Sequence, residues 1–318
     1  MTIPHFQLLN LIYNQPQAVR PEMLDMAEAW AARTLQTNLV SVQTAAARWP
    51  YQRTTRADAP QVAAGPASGV QTVPIHGVLL ARSIHLDPCT TATDYETLRR
   101  QIHAAVRDPQ IEHIVLDIDS PGGAVAGCFE LAEDIRDWSR HTPITAVVNY
   151  SAYSAAYALA SAASEVVVAP SSGVGSIGII ARHADFSARN SQEGIKVTSI
   201  FAGARKDDLS PHAPLSEAAA QRLQQHVDQA YRQFVETVAI HRGLSMEEVR
   251  DTEADVYHGA EAVSLGLADR VETPQAAINR IAADVAERHR NRLAGQPPGP
   301  PRAHVSMRAR AMGLAMEL

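Results

Sequence analysis

From Val70 onward the chain alternates short β-branched runs with longer amphipathic stretches. The pattern predicts strands over Val70–Leu80, Ile114–Asp119, Ile144–Asn149 and Glu165–Ala169, and helices over Asp94–Arg107, Cys128–Ser139, Ser154–Ala163 and Ser216–His241. Strand followed by helix, repeated, is the signature of an α/β fold with a mostly parallel sheet and flanking helices. The run Ile114-Val-Leu-Asp-Ile is nearly continuous in apolar residues, as a strand covered on both faces requires. In the last helix, Leu223, Val227, Ala230, Tyr231, Phe234, Val235 and Val238 recur three or four apart and form one apolar stripe for the core or for another subunit.

The two ends follow other patterns. Met23, Leu24, Ala27, Trp30 and Ala31 fall on one helical face, so residues 1–56 read as a helical preface. Residues 57–69 hold Ala, Gly and Pro with almost no bulky side chain and read as a linker. Residues 70–275 form the main domain. Residues 276–318 read as a basic tail, because Arg288, Arg290, Arg292, Arg302, Arg308 and Arg310 outweigh the acids and Gln296-Pro-Pro-Gly-Pro-Pro301 cannot be helical. Such a tail is a solvated terminus or a docking element for an acidic protein surface or nucleic acid.

Composition narrows the partners. A formal charge of -6 gives no overall attraction to nucleic acid or anionic membranes. The two cysteines, Cys89 and Cys128, have no metal-binding or disulfide-framework spacing, and no run of about 18 apolar residues is present. A cytoplasmic, membrane-free protein without a metal is the expectation.

The candidate chemistry lies at three points. Ser154 follows a strand and opens the small-residue run Ala155-Ala-Tyr-Ala-Leu-Ala, where backbone N–H groups can hold an oxyanion. Gly122 and Gly123 in Asp119-Ser-Pro-Gly-Gly123 also follow a strand, and their backbone can approach a substrate carbonyl closely. A serine hydroxyl needs a base, and none of the thirteen histidines sits in a triad motif; His183 and His212 are the nearest in sequence. A lysine can serve where burial disfavours its ammonium, and Lys206 in Gly203-Ala-Arg-Lys206-Asp is the candidate. Taken singly, a serine cap, a Pro-Gly-Gly turn and a lone lysine are each commoner as plain structure.

Together and in order these segments resemble the signal peptide peptidase A family of serine peptidases. The resemblance runs from about Val73 to Val271 through Asp117-Ile-Asp-Ser-Pro-Gly-Gly-Ala-Val-Ala-Gly127, Ser154-Ala-Ala-Tyr157, Gly175-Ser-Ile-Gly178 and Gly203-Ala-Arg-Lys206. It implies a Clp protease/crotonase-like fold and a Ser154–Lys206 dyad. It also implies that Ser176 orients the lysine, and that Gly122, Gly123 and Ala155 contribute to the oxyanion hole. No metal or organic cofactor is implied. Membrane-bound members carry Ser-Gly-Gly-Tyr and an N-terminal anchor, and this chain has neither feature, so the branch of phage capsid-maturation proteases fits better. That branch implies a homo-oligomer whose sites draw on neighbouring subunits, located in the host cytoplasm or procapsid. Its substrates are capsid scaffold and portal proteins and the enzyme itself, with self-cleavage expected in the 57–69 linker or after Val271. The rival readings are a cytosolic signal-peptide-peptidase-like enzyme, an inactive capsid-assembly module and an enoyl-CoA hydratase or isomerase on the same fold.

Overall fold

The structure is a computed structural model that describes residues 13–28, 69–82 and 92–294. Its centre is a sheet built on the long strand β7 (Ile144–Tyr153). On one side β7 pairs in parallel with β5 (His113–Ser120), which pairs in parallel with β2 (Val70–His76). On the other side β7 pairs first with β8 (Glu165–Val168) and then, further along, with β9 (Gly173–Gly175). The two remaining strands are β10 (Val256–His258), antiparallel to β9, and β11 (Arg270–Val271), parallel to β8. The α/β class predicted by the alternation is the class observed.

A smaller sheet of β1 (Gln17–Val19), β6 (Gly122–Ala124), β3 (Val78–Leu80) and β4 (Ala92–Asp94) closes one end. The sequence reads Val70–Leu80 as one strand, but Gly77 adopts φ 70° and sends its two halves into different sheets. The 1–56 preface contains the strand β1 and a helix over 21–28, which we call α1. Trp30, Ala31 and residues 57–68 lie outside the described residues.

One sheet face carries the main core. Helices α2 (Tyr95–Arg107), α3 (Cys128–Ser139) and α4 (Ala155–Ser161) bury Leu98, Ile102, Leu131, Ile135 and Leu159 against Leu116, Ile118 and Val148. Each fully buried aliphatic side chain contributes roughly 1.5–3 kcal/mol. Asp94 caps α2 by accepting the Thr97 N–H at 2.8 Å, and Arg99 ties α2 to Asp134 of α3 at 2.6 Å. After the short α5 (Ser187–Gln192), α6 (Glu217–Arg242) adds Phe234, Val235 and Val238 to this core, as its stripe predicted.

The C-terminal boundary expected from the sequence needs correction. Residues 276–292 are not tail: they belong to α9 (Pro274–Ala294), which follows α7 (Met246–Arg250) and α8 (Gly259–Ser264). Ala277, Ile281 and Val285 of α9 pack on Val70, Val115, Val147 and Val167 of the other sheet face. The arginines drew attention away from this apolar stripe at three- and four-residue spacing. Arg280 pairs with Glu165 and Glu272 at 3.0 Å, and Arg292 with Glu112 at 3.1 Å, so part of the basic charge is used on the domain itself. Among the described residues no helix is long and apolar enough to cross a membrane.

Candidate active site

Strand β7 outruns its neighbour. Its pairing with β5 jumps from Ile118–Val148 to Ser120–Ala152, so β7 carries extra residues across this step, and the bulge carries its end to Tyr153. Ser154 then turns the chain sharply with φ 55° and ψ -119° before α4 begins. A non-glycine residue at positive φ costs on the order of 1–2 kcal/mol and persists only where the surroundings enforce it. Here the Ser154 N–H donates to Gly175 O at 2.8 Å, and Ser154 O accepts the Ala158 N–H at 3.0 Å. Its hydroxyl reaches Gly178 O at 3.4 Å, and the residue is 0% exposed. The run of alanines makes this possible, since every residue of α4 is buried and only small side chains allow its close approach to the sheet.

Across from Ser154 lies β6. Ser120 Oγ donates to Gly77 O at 2.7 Å and accepts the Gly122 N–H at 3.2 Å. The Gly122 N–H is thereby engaged, while Gly123 pairs with Ala18 of β1 and Leu79 of β3. Gly123 also sits so close to β3 that a Cβ would collide with the Leu79 backbone, so no other residue fits. A Cβ on Gly122, whose φ is 99°, would lie 3.1 Å from Ser154 Cβ, so the glycine pair lies beside Ser154. The buried Tyr95 hydroxyl fixes β6 from behind by donating to Ala124 O at 2.6 Å.

Ser176 completes the inner part. It follows Gly175, which pairs with Tyr153, and has φ 53°, 8% exposure and an N–H donating to Asp255 O at 2.7 Å. Thus Ser154, Ser176, Gly122, Gly123 and Ala155 are brought together. Lys206 is not brought to them. It lies in a series of turns, its own N–H bonded to Gly203 O at 3.0 Å, and its exposed side chain forms no hydrogen bond or ion pair among the described residues. It lines a cleft of about 230 Å³ with Asp208, Arg222 and His226. The stretch leading to it, 193–206, is exposed throughout and includes Ile195, Val197, Ile200 and Phe201. The two histidines weighed as bases are occupied elsewhere: His183 Nδ1 donates to Asn14 Oδ1, and His212 Nδ1 accepts from Asn190 Nδ2, both at 3.0 Å.

One element of the cleft escaped the sequence reading. Strand β1 runs antiparallel to β6 with Ala18 opposite Gly123, and on its other edge Gln17 exchanges hydrogen bonds with Ile180 at 2.8 and 2.9 Å. The sequence signal is a pair of prolines, Pro16 and Pro21, which bias Gln15 and Arg20 on either side of the run toward extended backbone.

Residues 136–287 match Peptidase family S49. Capsid assembly protease C of Escherichia phage lambda is 35% identical over 228 residues, covering 72% of this chain and 52% of that protein. Head-tail preconnector protein GP5 of Enterobacteria phage P21 is 36% identical over 215 residues, covering 68% and 43%. The chain thus spans about half the length of these relatives. Among solved structures, a ClpP1 mutant from Listeria monocytogenes aligns over 63% of this chain and 90% of its own, with 15% identity and a TM-score of 0.37.

Proposed function

We propose, from the match of residues 136–287 to Peptidase family S49, that the chain is a serine endopeptidase with Ser154 as nucleophile and Lys206 as base. The observation that carries this is the strained, buried turn at Ser154 beside the glycine pair of β6. A nucleophile held on a strand-to-helix turn is presented without rotamer or backbone searching, and N–H groups aimed across the cleft stabilise the charge that develops on a carbonyl oxygen. Gly123 and Ala155 are the N–H donors in this scheme. Gly122 shapes the turn, its own N–H being held by Ser120.

A lysine acts as a base only when burial strips water from its ammonium. Lys206 must therefore be covered before it works, and the exposed apolar run Ile195, Val197, Ile200 and Phe201 beside it supplies the reason for covering it. We take the working form to be a homo-oligomer in which this stretch is buried and a Lys206 amine meets Ser154 and Ser176. Lys206 then takes the Ser154 proton as the hydroxyl attacks a peptide carbonyl, gives it to the leaving amine, and activates water against the acyl-enzyme. The likeness to a phage capsid assembly protease and a head-tail preconnector protein points to capsid scaffold and portal proteins as substrates.

The test is hydrolysis of a scaffold–portal mixture by wild type, Ser154→Ala and Lys206→Ala, read by mass spectrometry. Fragments from wild type alone are the expected result. The exposed position of Lys206 also favours a second reading, an assembly module without activity. Equal behaviour of all three proteins, with head assembly still promoted, would establish that one instead.

A further inference from the structure

We propose that the chain's own N-terminal strand is a substrate of its active site, and that Ser154 cleaves the Ala18–Val19 bond. This rests on the peptidase reading above and assigns the cut to a place where the sequence alone suggested none. Strand β1 lies in the cleft as an extended substrate would. One edge pairs with β6 in the register Gln17–Ala124, Ala18–Gly123, Val19–Gly122. The other edge pairs with the strand-like stretch after Gly178: Gln17 exchanges two bonds with Ile180, and the Asn14 N–H donates to Arg182 O at 2.8 Å. Both pairings are antiparallel, and together they are the two-sided main-chain recognition by which a groove holds a peptide irrespective of most side chains.

The register selects the bond. In an antiparallel pair, hydrogen-bonded and non-bonded residue pairs alternate. The Arg20 N–H donates to Pro121 O at 3.2 Å, so Arg20–Pro121 is a bonded pair and Ala18–Gly123, two residues on, is the next. The Ala18 carbonyl therefore accepts from the Gly123 N–H, the donor assigned above to the oxyanion. A Cβ on Gly122 would collide with that same Ala18 oxygen and lie 3.1 Å from Ser154 Cβ, so Ala18 and Ser154 both border the same side of the glycine turn. Ala18 is 0% exposed and belongs to the main core.

The segment on the far side of the bond is anchored independently. Arg182 pairs with Asp25 at 2.6 Å and with Glu28 at 3.1 Å on α1, Val19 and Leu24 form a small apolar cluster, and Arg20 lies over the Tyr153 ring, 5.1 Å from its centroid. In the reaction, Ser154 Oγ adds to the Ala18 carbonyl carbon as its proton passes to the base. The C–N bond to Val19 breaks, and the Val19 nitrogen takes the proton and becomes a free amine. Water then hydrolyses the Ala18 ester, releasing residues 1–18 with a new carboxylate and restoring the serine.

The experiment is intact-mass and N-terminal analysis of the purified full-length chain over time, as wild type, Ser154→Ala, Ala18→Ser and Ala18→Glu, each also incubated with a peptide library derived from a cell proteome. Complete conversion of wild type and Ala18→Ser to a chain beginning at Val19, with Ser154→Ala intact, is expected. Ala18→Glu should slow conversion at least tenfold. Library cleavage that depends on Ser154, with residues 1–18 retained or the cut elsewhere in the chain, overturns the proposal and leaves the peptidase reading standing. Failure of wild type to cut either itself or the library overturns both.

Discussion

The two residues proposed as nucleophile and base stand in opposite surroundings. Ser154 is enclosed by β1, β6, β9 and the all-buried helix α4, with its backbone bonded on both sides. Lys206 sits among turns at the end of a stretch exposed from 193 to 206, where Ile200 is 97% exposed. Under the proposed mechanism one half of the dyad is finished by folding and the other awaits burial. The proposal therefore makes assembly a condition for activity, because a single folded chain holds Ser154 in its turn and leaves Lys206 exposed.

The largest effect should come from removing either partner. Ser154→Ala and Lys206→Ala should each lower kcat/KM by at least about 10⁴-fold, as losses of triad members do, with thermal stability within roughly 0.5 kcal/mol of wild type for the lysine change. A Lys206→Ala enzyme retaining a tenth of its activity would break the comparison at once. Next, the enclosed half should depend on packing remote from it. Ile281→Ala on α9 should cost about 2–4 kcal/mol in chemical denaturation, since Ile281 is buried on the sheet that carries β7.

Acid should loosen the same half. Burial lowers the His241 pKa to about 4, and its Nδ1 lies 3.1 Å from Ser161 Oγ of α4. The unfolded chain takes up a proton near pH 6.5 and the folded chain only near 4. Stability is therefore full above about 6.5 and falls as pH drops toward about 4, by on the order of 3 kcal/mol. His241→Asn should flatten that slope in melts recorded from about pH 7 to 4. The smallest change in stability belongs to the exposed half: Ile200→Asp should leave the unfolding free energy within about 0.5 kcal/mol. Sedimentation should nevertheless show smaller assemblies, and activity should fall with them. Unaltered assembly and activity would remove the exposed stretch from the picture.

Most elements with clean periodicity were legible in the sequence: Cys128–Ser139 was predicted at its observed bounds, and Ser216–His241 lies within one residue of Glu217–Arg242. The order of motifs marked Ser154, Ser176, Lys206, Gly122, Gly123 and Ala155 as candidates, and the fold gathers all of them but Lys206. The illegible parts depend on long-range pairing. A three-residue strand such as Gln17–Val19 has no period to detect, and its partners at Gly122–Ala124 and Ile180 are more than a hundred residues away. The glycine pair could not be divided into donor and turn residue, because the decisive partner is the Ser120 hydroxyl. Helix Pro274–Ala294 was hidden by its arginines, and its role was set by the valines of four separate strands.

Beneath the Ser154 turn lies a built-in clock. The Cys128 thiol, at the start of α3, donates to Ala155 O at 3.5 Å, is fully buried, and has its pKa raised by that burial to about 12. While α3 and α4 stay together, it offers no thiolate to a reagent. In a chain with Cys89→Ser, the rate of alkylation at Cys128 therefore measures how often the floor under Ser154 parts, and comparing that rate with and without the proposed assembly would time the breathing of this turn without any substrate at all.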